Sequence, residues 1–227
     1  TYQLELDLNS LKAGEKTGVS LLAKWLKSEN ASADETKLLA NKTRMSLGMT
    51  HKDYRKMLSA LRTRINIVEK LMSENKWEEI EFDKIPSKAG LKYRNAFAHR
   101  DIIAAKYAEF INSKDTKVNA STLYPYEIVK GVTSKITYYS GKINMEEVER
   151  NTLNKYWANQ KDYLNGSTSS VMCVVDTSGS MTSSYSGSVA PIDVAISLGM
   201  YCAERLSGPF KNKFISFSSR PQLIEVE

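Results

Sequence analysis

The sequence predicts an α-helical N-terminal domain followed by an α/β domain that is incomplete in this chain. Three observations predict it. Apolar residues recur at three- and four-residue steps through much of the first 165 positions, the period of helices that bury one face. A Gly/Ser/Thr stretch, Gly166–Ser170, then interrupts that pattern. After it, Val171-Met172-Cys173-Val174-Val175 reads as a strand buried on both faces, and a helical pattern restarts near Pro191. The expected domains are 1–165, a linker at 166–170, and 171–227.

Taken in order, Tyr2, Leu4, Leu6 and Leu8 alternate with polar residues, as in a half-exposed strand or extended arm. Glu15–Lys27 reads as a helix with the stripe Val19, Leu22 and Leu26, Trp25 lying beside it. Ser32-Ala33-Asp34-Glu35 has the form of a capping box starting a second helix, which Gly48 ends. Thr50-His51-Lys52-Asp53 starts the clearest helix. Tyr54, Met57, Leu58, Leu61, Ile65, Val68 and Met72 make one core face over about six turns. Trp77–Pro86 is a connector with Ile80, Phe82 and Ile85 turned inward, and Pro86-Ser87 opens a helix carrying Tyr93 and Phe97. A further helix spans about Asp101–Asn112 on Ile103, Tyr107 and Phe110. Pro125 suits the first turn of the next, with Ile128, Val129, Val132 and Ile136 as its stripe. Asn144-Met145-Glu146-Glu147 caps a helix running to about Leu164, pinned by Tyr156 and Trp157. Beyond the first strand come a helix near Pro191–Leu206, a strand at Phe214–Phe217 and the start of another at Gln222–Val226. That strand–helix series stops early, so the chain is expected to be part of a longer protein.

Of the 227 residues, 41% are hydrophobic and 26% charged, a globular composition with length for one or two domains. No apolar run is long enough to cross a bilayer, so no membrane partner is expected. The two cysteines, Cys173 and Cys202, read as small core residues in a reducing, cytoplasmic compartment. The net charge of +6 is uneven. From Gly166 onward four Lys/Arg stand against five Asp/Glu, net −1. The first 165 residues hold 28 Lys/Arg against 21 Asp/Glu, net +7. That surplus suits an anionic partner, nucleic acid being the commonest, or simply a soluble basic surface. The candidate phosphate contacts are Lys52, Arg55, Lys56, Arg62 and Arg64 on one helix and Lys88, Lys92 and Arg94 on another. A solvated face is the ordinary alternative for both rows.

The sharpest chemistry lies where the strand at Val171–Val175 ends. Asp176, Ser178 and Ser180 are oxygen donors at alternate positions, with Gly179 letting the loop curl. Alternate residues of an extended turn point the same way, and hard divalent cations take oxygen ligands. The end of a buried parallel strand is also where open α/β sheets bind ligands. A turn whose hydroxyls merely cap the backbone is the bland alternative.

In this setting Asp176-Thr177-Ser178-Gly179-Ser180-Met181 resembles the metal-ion-dependent adhesion site (MIDAS) of von Willebrand factor A (vWA) domains. The resemblance implies a Rossmann-like vWA fold. It implies a bound Mg²⁺ (or Mn²⁺ or Ca²⁺) held by Asp176, Ser178 and Ser180, with an open position filled by an acidic group of a partner. In that family a threonine and a second aspartate come from two later loops, which this chain is not expected to reach. The helical part carries Leu22-Ala23-Lys24-Trp25-Leu26, Tyr54-Arg55-Lys56, Ile85-Pro86-Ser87 and Leu123-Tyr124-Pro125-Tyr126-Glu127. These look like an uncharacterised family that joins an all-helical N-terminal region to a vWA domain. The layout is similar to the TROVE proteins, relatives of the Ro autoantigen, in which a helical-repeat ring carries a vWA domain and binds small non-coding or misfolded RNA.

The leading expectation is a non-enzymatic binding protein. Its metal site engages an acidic group, its basic helices bind RNA, and the loop Thr182–Ser188 with Tyr185 shapes the metal rim. A protein–protein scaffold using the same metal site is the alternative. Catalysis finds little support: neither His51 nor His99 lies in a motif tying it to Ser178 or Ser180. Gly-x-Ser-x-Gly and Walker loops are absent.

Overall fold

The computed structural model describes residues 2–14, 19–65, 67–136, 142–164, 170–183 and 189–226. The chain divides into two compact units, Thr1–Asn75 and Lys76–Glu227. The first turn expected from Glu15, most of the linker at 166–170 and the loop beyond Ser183 lie outside the described residues.

The first unit contains α1 (Tyr2–Lys12), α2 (Leu22–Trp25), α3 (Asp34–Ser46), α4 (His51–Arg64) and α5 (Val68–Ser73). Its core forms around α4. Thr50 caps that helix by accepting the Asp53 backbone N–H at 3.2 Å. Tyr54, Met57, Leu58 and Leu61 are buried against Leu4, Ala23, Ala40 and Ile65. Tyr54 spends its hydroxyl on the Lys27 carbonyl at 2.8 Å, and burial pushes its phenol pKa up.

Three local expectations are corrected here. The segment at Tyr2–Lys12 is a helix, not a strand or arm. Leu4, Leu8 and Leu11, four and three apart, pack on the α4 core while Tyr2 and Leu6 stay exposed. The alternation therefore coincided with a helical stripe. α3 begins one residue later than the Ser32 box implies, with Ala33 as N-cap and no capping side-chain bond. The long helix breaks after Arg64, because Ile65 and Ile67 take extended backbone with ψ 116° and 147°. Ile65, Ile67 and Val68 are β-branched and lose χ1 freedom in a helix. Ile65 and Val68 keep their core places without it.

The second unit opens with 3₁₀ turns at Trp77–Glu79 and Phe82–Lys84. Then follow α6 (Ser87–His99), α7 (Asp101–Asn112), α8 (Pro125–Thr133) and α9 (Glu147–Ala158). Aromatic rings build this core. Phe82 lies 5.5 Å from Phe97, 5.0 Å from Tyr107 and 5.4 Å from Phe110, ring centre to ring centre, in the tilted arrangements that ring quadrupoles favour. Lys155 reaches back from α9 to the C-terminal end of α7, where its ammonium meets the carbonyls of Phe110, Ile111 and Ser113. α9 ends at Ala158, short of Leu164, and starts from Glu146 without a capping side-chain bond. Ile136 falls outside α8 and instead bridges to Ile143.

The C-terminal part of this unit holds β1 (Cys173–Asp176), α10 (Pro191–Arg205), β2 (Lys213–Phe217) and β3 (Gln222–Glu225). The strands form one sheet in the order β1-β2-β3. β1 and β2 are parallel, with Asp176 opposite Phe217, and β2 and β3 are antiparallel. A parallel pair needs a crossover, and α10 supplies it. Val175 and Phe214 are buried on its side of the sheet with Ala203. On the other side Val174, Phe217 and Leu223 are more than half exposed. This corrects the reading of β1 as buried on both faces: among the described residues only one face is covered. α10 is also lashed to the helices before it. Trp157 donates its indole N–H to Glu204 at 2.6 Å, and Tyr201 donates its hydroxyl to the Lys161 carbonyl at 2.6 Å. The protein is mostly helical with a small three-stranded sheet at its C-terminal end. Among the described residues no helix is long and apolar enough to cross a membrane.

Candidate metal centre

β1 delivers Asp176 to the edge of the sheet, and its backbone direction then turns sharply into a 3₁₀ turn at Gly179–Thr182. The turn is fastened at its start by Thr177, whose N–H and hydroxyl both donate to the Phe217 carbonyl, at 2.8 and 3.1 Å. That residue was not singled out from the sequence. Only its place between two candidate ligands, opposite the parallel neighbour, could have marked it. Further along, the Thr182 hydroxyl donates to the Gly179 carbonyl at 2.7 Å and the Ser183 hydroxyl to the Ser180 carbonyl at 2.8 Å.

Held this way, the three candidate side chains come together. The Asp176 carboxylate accepts the Ser178 backbone N–H at 2.9 Å. Ser178 Oγ lies 3.1 Å from Ser180 Oγ. Hydrogen bonds from the Ser178 side chain and backbone hold the Asp176 carboxyl below its ordinary pKa, so it is an anion at neutral pH. Asp176 and Ser178 are half-buried and Ser180 is exposed. The result is one carboxylate and two hydroxyls grouped at a strand end, open to solvent and made only of oxygen donors. Such a set suits a hard cation that keeps part of its water, such as Mg²⁺. Among the described residues no three His, Cys, Asp or Glu side chains gather into a metal cluster. The hydroxyls would therefore share any ligation here. Ser178 and Ser180 bond to each other, while His99 approaches Glu146 at 3.9 Å.

The basic candidates separate into two kinds. Lys52, Arg55, Lys56 and Arg64 are exposed on α4. Arg62 is not offered to solvent in the same way. Its guanidinium donates to the Ala23 carbonyl at 3.0 Å, the Leu26 carbonyl at 2.7 Å and the Ser28 hydroxyl at 2.7 Å. On α6, Lys88 and Lys92 are exposed, and Lys88 sits 3.3 Å from Glu127. Arg94 is turned inward, donating to the Leu91 carbonyl at 2.8 Å and reaching Glu149 at 3.4 Å. Arg62 and Arg94 thus serve the fold.

Comparison with known proteins adds the following. Residues 1–168 match the family model described as "Domain of unknown function (DUF2828)", and residues 170–227 match "Domain of unknown function (DUF7788)". The chain is 32% identical over 238 residues to "Uncharacterized protein L728" of Acanthamoeba polyphaga mimivirus. That similarity covers 96% of this chain but 39% of the relative, so the chain spans about two fifths of its length. No solved structure matches. With residues 1–168 accounted for by one family model, the chain belongs to the DUF2828 family.

Proposed function

We propose that the protein is a non-enzymatic, divalent-metal-dependent binding protein whose C-terminal part is the beginning of a vWA-type α/β domain with a MIDAS-type site. The observation that carries this reading is the grouping at the end of β1: the Asp176 carboxylate accepts the Ser178 backbone N–H, and the Ser178 hydroxyl lies 3.1 Å from the Ser180 hydroxyl. Asp176, Ser178 and Ser180 would hold Mg²⁺, or Mn²⁺ or Ca²⁺ in its place. When bound, the cation supplies a positive centre that attracts an acidic group of a partner. The chain's own residues do the positioning. Thr177 anchors the loop to β2, and the Ser178 N–H orients the Asp176 carboxylate. The partner is then a protein bearing an exposed Asp or Glu. Affinity capture in Mg²⁺ and in EDTA, with nuclease present, tests this. Retention in Mg²⁺ that is lost with EDTA and in Ser178→Ala/Ser180→Ala fits the proposal; equal retention under all conditions contradicts it.

A second reading is supported by the exposed row Lys52, Arg55, Lys56 and Arg64. The row suits RNA phosphates, as in a TROVE-like cytoplasmic ribonucleoprotein component. Phosphate neutralisation releases counterions, so binding to single-stranded RNA should weaken steeply with salt. Salt-independent binding, or binding unchanged after all four are replaced by Ala, removes this reading.

A further inference from the structure

α6 and α8 enclose a concavity of about 390 Å³ that neither reading above uses. Four cations line it, Lys88, Lys92, Arg94 and Lys130, against one carboxylate, Glu127. Glu127 is already committed: it accepts the Tyr124 backbone N–H at 2.8 Å and meets Lys88 at 3.3 Å. Arg94 is balanced in part by Glu149, but its Nε is buried and has no acceptor, an arrangement that leaves a donor to be satisfied. Among the described residues Lys92 and Lys130 have no carboxylate within ion-pair distance. The concavity therefore carries a surplus of positive charge.

Two further features narrow the ligand. The volume falls in the range of roughly 300–1,000 Å³ typical of small-molecule sites, larger than a lone inorganic anion requires. Tyr126 lines it, and the Tyr124 ring lies beside the Tyr126 ring with centres 5.9 Å apart and planes within 12°. Tyr124 is 62% exposed, and the exposed Lys88 ammonium lies 5.9 Å from its ring centre, so a solvent-facing ring and a cation stand side by side. Positive charge beside an open aromatic stack is the pairing that holds a nucleotide, phosphate on the cations and base on the ring.

The geometry points to a nucleotide site between α6 and α8: a phosphate between Lys92 and Lys130, and a base against Tyr124. The nucleotide is either free or one unit of a single strand. The site rests on the RNA reading and deepens it, adding residues of α6 and α8 to those of α4. The test uses the whole protein with three probes: AMP, inorganic phosphate and a labelled oligoadenylate. AMP is expected to bind more tightly than phosphate. Lys92→Ala/Lys130→Ala should weaken AMP about tenfold or more. Tyr124→Leu should weaken AMP to a similar degree, within the range of one base–aromatic stack, and leave phosphate unchanged. Oligoadenylate weakened by the same substitutions identifies a strand as the source; oligoadenylate that does not bind identifies a free nucleotide. Absence of AMP and oligoadenylate binding, or AMP binding indifferent to Lys92→Ala/Lys130→Ala, overturns the site. Oligoadenylate binding lost only on replacing Lys52, Arg55, Lys56 and Arg64 assigns the strand to α4 and leaves a free nucleotide as the occupant of this site.

Discussion

Gly199 of α10 lies directly on Val175 of β1: a Cβ at position 199 would collide with Val175 Cγ2. This close approach lets the crossover helix sit low on the strand that ends in Asp176. The absence of a side chain at one position thus sets the platform from which the candidate ligands project. Gly199→Ala gains helix propensity of about 1 kcal/mol but overpacks a buried, stiff β-branched neighbour, which typically costs about 1–3 kcal/mol. Net destabilisation is expected by urea denaturation. The double variant with Val175→Ala should recover part of the clash, since neighbours in contact are not additive.

Arg62 and Arg64 sit two positions apart in a basic row yet should behave oppositely. Arg62 bonds two carbonyls and a hydroxyl, so Arg62→Ala orphans those acceptors and should cost about 1–3 kcal/mol. Arg64 is exposed, and Arg64→Ala should stay within about 0.5 kcal/mol of the parent. Thermal or urea unfolding of the two variants side by side checks this.

Asp7 gives the first unit an acid-sensitive joint. Burial pushes its carboxyl pKa up, but hydrogen bonds from the Ser20 hydroxyl at 2.7 Å, the Ser20 N–H at 2.9 Å and Gln3 outweigh it, leaving the pKa below its ordinary value. The unfolded chain therefore binds the proton more readily. Stability from this group is present above the unfolded pKa near 3.8 and is lost as pH falls through the lower folded value. Ser20→Ala should lower stability at pH 7 and make its decline below pH 4 shallower, as followed by circular dichroism across a pH series.

Cys202 should be a slow thiol. Burial and the adjacent Cys173 push its pKa up to about 11, and the thiolate is the reacting form. Alkylation by iodoacetamide at pH 8 should be much slower in the folded protein than in urea, with site-resolved mass spectrometry as the readout. Equal rates would contradict the packing of α10 on β1.

Much of this architecture was legible because burial follows period. The α4 stripe from Tyr54 to Leu61, the bounds of α7 and both later strands follow from spacing and punctuation. What was hidden depends on distant partners. Leu4 and Leu8 fit both periods until the α4 core selects the helical one and leaves Leu6 exposed. Val174 looked like a core residue because a β-branched run does not reveal which face of a sheet is covered. Arg62 and Arg94 looked like their basic neighbours, and only the carbonyls and carboxylate that they meet distinguish them. At the candidate metal centre the alternating Asp176, Ser178 and Ser180 were readable directly. The Thr177 anchor was not, because its acceptor lies forty residues away on β2.

Titration of Mn²⁺ into the protein, followed by electron paramagnetic resonance and repeated with Mg²⁺ as competitor, asks whether Asp176, Ser178 and Ser180 hold a divalent cation. Saturable Mn²⁺ binding is expected, displaced by Mg²⁺ and abolished by Asp176→Ala without a change in the circular dichroism spectrum. Binding of the same strength in Asp176→Ala would contradict a metal site at these residues.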